Sequence, residues 1–298
     1  MPIGIVINPT SGKGHGKSVG EAVLRELDSQ KIDYINLSGE NLAQAKQHVK
    51  AAVSAKKISG LFVVGGDGMV HMAVNACVNT DIPVGVIPAG TGNDSARALG
   101  LPHKDGVEAL KIGLANLKSP RRIDTIRATS SIGEFHCFAT LAAGFDSLVA
   151  GRANKMKFPK GPSRYQIAMV LELIKFKGLR FKAEVDGVKR EIEAVLCTAA
   201  NAHVYGGGML IVPDAKLDDG MLDLFIVNQL PKLELLRLFP RVFTGQHVTH
   251  PKVEIVRGKS FKLDSGPMPV YAEGEEVGIG PVTATVNPMS LLVFAPAA

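Results

Sequence analysis

Three short clusters of glycine and polar residues stand where this chain could do chemistry. The first is Asn8-Pro9-Thr10-Ser11-Gly12-Lys13-Gly14-His15-Gly16-Lys17-Ser18, between a strand-like run and a helical one. Small residues at such a turn let backbone N–H groups approach a phosphate, and the helix N-terminus adds partial positive charge. The spacing is not that of a P-loop: Ser11 stands where that pattern needs glycine, and Gly12 to Gly16 is one residue too short. A phosphate-contacting turn of another kind is the better reading, and a ligand-free glycine turn is the bland one. The second cluster, Gly65-Gly66-Asp67-Gly68, directly follows Leu61-Phe62-Val63-Val64. Its glycines leave no side chain between backbone and ligand, and Asp67, a carboxylate at a strand's C-terminal end, suits a hydroxyl or a Mg²⁺-bound water. The third is Pro88-Ala89-Gly90-Thr91-Gly92-Asn93-Asp94, where Thr91 offers a hydroxyl, Asn93 an amide and Asp94 a cap or polar contact. Each alone is weak, since Asp-Gly is ordinarily just a turn. Three at one edge of one parallel sheet converge on the crevice where such sheets bind nucleotides.

The elements that must position these corners are legible in the apolar pattern. Ile3 to Ile7, Leu61 to Val64 and Val84-Gly85-Val86-Ile87 read as buried strands, and Val19, Ala22, Val23 and Leu27 recur as one helix face. Short apolar runs alternating with helical periodicity predict a parallel sheet with crossover helices. From about Ile123 the strand-like segments become longer and are separated by turn signals at Asp186-Gly187, Asp219-Gly220 and Glu273-Gly274. One helix interrupts them, Arg164 to Lys177, with Ile167, Ala168, Leu171 and Ile174 on one face. The expected fold is therefore α/β: an N-terminal α/β domain over residues 1–125, then a mostly antiparallel β domain over 126–298. Lys118-Ser119-Pro120-Arg121-Arg122 breaks the helix at the boundary, and Ser290 to Phe294 is a candidate to return to the first domain.

Composition narrows the class. With 298 residues, 46% apolar and 21% charged, the chain is neither collagen-like, disordered nor coiled coil. No apolar run approaches the roughly 18 residues of a membrane span, and Met1-Pro2-Ile3-Gly4 has no signal-peptide features, so the expected place is the cytoplasm. Cys77, Cys137 and Cys197, with no C-x-x-C pair, read as small buried hydrophobes. His15, His71, His136 and His203 lack ligand-like spacing and are assigned bland roles. The net charge of +6 gathers between Gly151 and Lys182, where nine Lys and Arg face a single acid, Glu172. Met156 and Phe158 lie there among Lys155, Lys157 and Lys160, as in a segment that dips into anionic headgroups. A solvated basic loop is the alternative. No internal repeat or low-complexity tract is present.

Asn8-Pro-x-Ser-Gly12, Gly65-Gly-Asp-Gly68 and Pro88-x-Gly-Thr-Gly-Asn-Asp94, in this order and spacing, resemble the diacylglycerol kinase catalytic-domain family, whose relatives include sphingosine and ceramide kinases. The likeness continues in Asn201 with Gly206-Gly-Gly208, in Pro213 to Asp223 and in Glu273-Gly274-Glu275. It implies a nucleotide-binding α/β domain followed by a β-sandwich like that of NAD kinases, with ATP in the cleft. Nucleotide contacts are implied for Asn8, Ser11, Gly12, Ser38, Gly65, Gly66, Asp67, Gly68, Gly90, Thr91, Gly92 and Asn93. Glu273 is implied as general base, with Asp67 orienting Mg²⁺ or its waters. A structural Mg²⁺ is implied on the backbone oxygens of Lys216 and Met221 and the carboxylate of Asp219. Two departures stand out: Met69 and Met72 replace a threonine and an acid, and Glu273 replaces a common aspartate. The methionines suit a buried helix face beside Val70 and Val74, which leaves nucleotide contact to backbone. The implied activity is transfer of the γ-phosphoryl of ATP to a primary hydroxyl of a lipid, diacylglycerol first, at an anionic membrane surface. Alternatives are a kinase of a soluble acceptor, as in NAD kinases, and a nucleotide- or lipid-binding module that has lost catalysis. No nucleic acid partner and no transmembrane segment are expected, and a homodimer is left open.

Overall fold

The computed structural model describes residues 1–156, 158 and 163–297, so Lys157 and Lys160 of the basic segment lie outside the described residues. The chain divides into two compact units, Met1–Asp124 with Met289–Ala298, and Thr125–Pro288.

In the first unit, β1 (Ile3–Ile7), α1 (His15–Ser29), β2 (Tyr34–Asn36), α2 (Leu42–Ser54), β3 (Leu61–Gly65), α3 (Asp67–Cys77), β4 (Val84–Pro88), α4 (Asp94–Ala98) and α5 (Gly106–Ala115) follow in order. The strands pair in parallel as β2-β1-β3-β4, with Val6 opposite Val63 and Val63 opposite Val86. β1, β3 and β4 are almost wholly buried, because helices cover both faces of a parallel sheet. Ile5, Val23, Leu27, Phe62, Ile87 and Leu110 form the core. The end of the chain joins it: Val293 pairs with Val84, and Phe294 stacks on Phe62 at 5.2 Å between centroids. Met69, Val70, Met72 and Val74 are buried on α3, which accounts for apolar residues at those positions. Parallel pairing places the C-terminal ends of β1, β3 and β4 side by side, and each of the three glycine corners follows one of those ends.

The second unit is antiparallel. Its elements are β5 (Arg121–Ser130, begun in the first unit), β6 (Gly133–Cys137), β7 (Thr140–Gly144), α6 (Phe145–Lys155), α7 (Ser163–Lys175), β8 (Leu179–Val185), β9 (Val188–Ala200), β10 (Leu222–Asn228), α8 (Lys232–Leu238), β11 (Val253–Gly258), β12 (Ser260–Asp264), β13 (Pro269–Ala272), β14 (Glu275–Ile279) and β15 (Val282–Val293). The strand order is β14-β13-β7-β9-β8-β12-β15, with β10 also on β9 and β11 on β10. Two-residue loops at Asp186-Gly187 and Glu273-Gly274 close hairpins with positive φ at both positions (49° and 87°; 48° and 82°), the backbone that matches strand twist. The three cysteines are buried and unpaired. Among the described residues no helix is long and apolar enough to cross a membrane.

One expectation for this unit needs correction. The unit holds α6, α7 and α8 rather than one helix. The short α6 and α8 follow strand ends closely and were hidden by the surrounding strand pattern. On α7, Ile167, Leu171 and Ile174 are exposed, and the helix rests on Ala168 and Leu173. Periodicity identifies a stripe, but not whether anything covers it.

Candidate functional site

The three corners of the first unit meet through backbone. Asn8 N–H donates to the Val64 carbonyl at 2.9 Å, and Ala89 N–H to the Gly65 carbonyl at 2.8 Å, so the end of β3 ties the other two. After β1 the chain turns through Gly12 and Lys13, with φ of 57° and 63°. A Cβ on Gly12 would lie 2.4 Å from the Ala89 carbonyl oxygen, and one on Gly90 would lie 2.5 Å from Gly66 Cα. Glycine is required at both, because the corners touch without side chains between them. Ser11 belongs to the same junction, its hydroxyl standing 3.4 Å from where a Gly65 Cβ would be.

Polar side chains brace this junction. Asp67, first residue of α3, accepts at Oδ1 from both the backbone N–H and the hydroxyl of Ser95, each at 2.9 Å, and so links the second corner to the third. Gly68 follows it in the same turn of helix. Asn93, with φ of 55°, accepts at Oδ1 from Gly90 N–H (2.8 Å) and donates to the carbonyls of Gly90 and His103. Its amide shapes the third corner. Asn8 accepts at Oδ1 from the N–H and hydroxyl of Thr10, and Ser38 accepts at its hydroxyl from Ile7 N–H. Both hold the end of β1.

Beside the third corner opens a cavity of about 270 Å³ lined by Gly90, Thr91, Gly92, His15, Arg97 and Lys104, among others. His103 also lines it, and desolvation, then the charges of Arg97 and Lys104, push its imidazole below the usual range. Arg97 is anchored by its Nε on the Gly92 carbonyl (3.3 Å). Arg97, which also lies 3.8 Å from Asp94, and Lys104 set positive charge beside backbone N–H groups and a threonine hydroxyl, an arrangement suited to a polyanion. Sequence reading missed Arg97, His103 and Lys104 and gave His15 a bland role. Their one signal was position, a basic residue within one helical turn of the third corner and a His-Lys pair soon after it.

In the second unit, Glu273 occupies the turn between β13 and β14, and its Oε1 accepts from the N–H groups of Ala139 (2.8 Å) and Thr140 (3.2 Å) at the start of β7. Two backbone donors on this one oxygen hold the carboxylate at the turn. Its negative charge, after burial, also pushes the Cys137 thiol up.

The loop carrying Lys216, Asp219 and Met221 precedes β10. Asp219 Oδ1 accepts from Met221 N–H at 3.1 Å, and Oδ2 meets Arg257, which also reaches Asp223 at 3.5 Å. Burial, opposed by Arg257 and reinforced by Asp219 and Asp214, pushes the Asp223 carboxyl up. Both carboxylate oxygens of Asp219 are thus engaged, and a carboxylate with backbone oxygens is the hard-oxygen donor type that Mg²⁺ takes. Among the described residues no three His, Cys, Asp or Glu side chains gather as a metal site, so most donors here would be backbone and water.

The likeness to known proteins covers both units of the chain. The family described as "Diacylglycerol kinase catalytic domain" matches residues 2–128, and "YegS C-terminal NAD kinase beta sandwich-like domain" matches residues 139–295. A diacylglycerol kinase of Mycobacterium tuberculosis is 37% identical over 97% of this chain and 93% of its own. One of Staphylococcus carnosus is 30% identical over 92% of this chain and 88% of its own. Among solved structures, a diacylglycerol kinase of Bacillus anthracis superposes with a TM-score of 0.73 at 20% identity, covering 99% of this chain and 97% of that one. Another chain from that organism reaches 0.79 at 22% identity with the same coverage. These two likenesses concern the fold: an α/β unit followed by a β-sandwich.

Proposed function

Because the chain belongs to the diacylglycerol kinase family and is a kinase, we propose that it transfers the γ-phosphoryl group of ATP to the primary hydroxyl of a lipid, diacylglycerol first, giving phosphatidic acid and ADP. The observation that carries this reading is the junction of three side-chain-free corners beside a cavity rimmed by His15, Arg97 and Lys104. Phosphoryl transfer asks mainly for positioning and charge neutralisation. The first unit supplies both: N–H groups around Gly12, Gly66 and Gly90 for the phosphates, the Thr91 hydroxyl, and the cations. Asp67 keeps the corners in register through Ser95, and its other oxygen is the one to meet a Mg²⁺-bound water.

Glu273 is the base this reading assigns. Glu273 takes the proton of the acceptor hydroxyl as that oxygen bonds to the γ-phosphorus and the bond to the ADP oxygen breaks. Glutamate in place of aspartate adds one methylene, and the positive φ at Glu273 sets where that longer side chain starts. Lys216, Asp219 and Met221 would hold a structural Mg²⁺ that stiffens their loop. The acceptor is taken from an anionic membrane to which the protein attaches peripherally from the cytoplasm.

The test is an acceptor panel with γ-labelled ATP: diacylglycerol and sphingosine in mixed micelles, and NAD in solution. Label in diacylglycerol is expected. Label in NAD alone, or in no acceptor, would overturn the proposal.

A further inference from the structure

Among the exposed apolar side chains of the second unit, four aliphatic ones lie on one helix, α7. Ile167, Val170, Leu171 and Ile174 are 41%, 45%, 40% and 65% exposed, and their spacing of three, four and seven residues makes them one stripe. The opposite side holds the helix in place: Ala168 and Leu173 are buried, and Glu172 pairs with Arg152 of α6. A solvated helix face carries charges, whereas this one carries branched aliphatics, with Tyr165 38% and Phe158 84% exposed toward its N-terminal end.

Cations bracket the stripe. Exposed Lys175 and Lys177 follow its C-terminal end, where Lys232 Nζ also donates to the Ile174 carbonyl at 2.6 Å. At the other end the Tyr165 hydroxyl reaches Asn154 Oδ1 at 3.5 Å, which brings exposed Lys155 alongside. Among the described residues Lys155, Lys175 and Lys177 have no acid partner, while Glu172, the only acid on α7, is neutralised by Arg152.

We propose that this face of α7 is the surface by which the protein lies on an anionic bilayer, its aliphatic stripe at the boundary of headgroups and acyl chains and its lysines on the headgroup phosphates. Charge selects this occupant. A second copy of the chain docked on the same face would set lysines against lysines, whereas an anionic bilayer satisfies stripe and lysines together. Thirteen residues give a helix of about 20 Å, which lies along an interface and does not span it. The inference rests on the lipid-kinase reading and deepens it, by naming the surface that meets the membrane holding the acceptor.

The full chain is sedimented with vesicles of phosphatidylcholine alone and of phosphatidylcholine mixed with phosphatidylglycerol. Pelleting with the mixed vesicles is expected, and Ile167→Glu with Leu171→Glu should cut the bound fraction at least ~10-fold. Lys175→Glu with Lys177→Glu, at exposed positions, should weaken binding to mixed vesicles and shrink the difference between the two lipids. It keeps the test decisive if circular dichroism shows the aliphatic pair misfolded. Turnover of a short-chain diacylglycerol dispersed in solution should be unchanged in both variants. Wild type that fails to pellet, or that pellets no better than both variants, overturns the docking face. So does a lipid-free dimer in sedimentation velocity that Ile167→Glu with Leu171→Glu splits. Stripe-dependent vesicle binding by a protein that phosphorylates no lipid would support the docking face and sink the lipid-kinase reading instead.

Discussion

In the proposed reading the two units make their functional groups in opposite ways. Around Gly12, Gly66 and Gly90 the groups offered to a ligand are backbone, and side chains are excluded by contacts that would fall to 2.4 and 2.5 Å. At the turn between β13 and β14 the group offered is one side chain, Glu273, and the backbone of Ala139 and Thr140 does the holding. The contrast teaches where each unit is vulnerable. Recognition built from backbone is lost by adding an atom, and chemistry built from a carboxylate is lost by removing a charge.

The largest effects test the first half of that contrast. Gly12→Ala places a methyl against the Ala89 carbonyl at positive φ, so the first and third corners must part. A displacement of ~1 Å is enough for a loss of ~10²-fold in kcat/KM for ATP, read by steady-state kinetics. Retained kinetics would show that the corners do not jointly hold the nucleotide. The brace between second and third corners should matter next. Asp67→Ala removes two hydrogen bonds to Ser95 and should cost about 1–3 kcal/mol in denaturant unfolding, with a raised KM for ATP. Asp67→Asn keeps an acceptor oxygen and should recover the stability but not the activity. If both variants behave alike, Asp67 acts by its charge alone.

A smaller effect concerns a carboxylate held in the second unit. Asp146 opens α6, and burial pushes its carboxyl up to about 6 against hydrogen bonds from Thr198 and Ser147. The folded-state value lies above that of a free aspartate. The protonated carboxyl's advantage is therefore complete below about pH 4 and is lost as pH rises through about 6. Above that, the buried charge costs on the order of 1–3 kcal/mol. The stability of Asp146→Asn relative to wild type should improve from about pH 5 to about pH 7, as thermal melts in matched buffers would show. A pH-independent gap would mean that Asp146 ionises as freely folded as unfolded.

How much of this was legible beforehand depends on whether local order sufficed. The strands at Ile3, Leu61 and Val84 and the helix face of Val19, Val23 and Leu27 were readable because a buried parallel sheet writes continuous apolar runs and covered helices. The same periodicity marks α7, where Ile167, Leu171 and Ile174 form an equally good stripe that faces solvent. Sequence carries the stripe, and only tertiary packing says which stripes are covered. The three corners were readable as glycine-rich strand ends. That Asn93 spends its amide on Gly90 and His103 was not, because a side chain's partners ten residues away leave no local mark. The cations Arg97 and Lys104 escaped for the same reason, reaching the cavity only through the fold of the third corner. The contacts of Glu273 on Ala139 and Thr140 join segments more than 130 residues apart, beyond any spacing rule.

The most direct test of the account is a single-turnover measurement on Glu273→Gln, with bound ATP and label transferred from γ-labelled ATP to diacylglycerol read in the same sample. If backbone corners hold the nucleotide and Glu273 removes the proton, bound ATP stays within about twofold of wild type while transfer slows at least ~10²-fold. Transfer at the wild-type rate, or a loss of bound ATP that matches the loss of transfer, would contradict it.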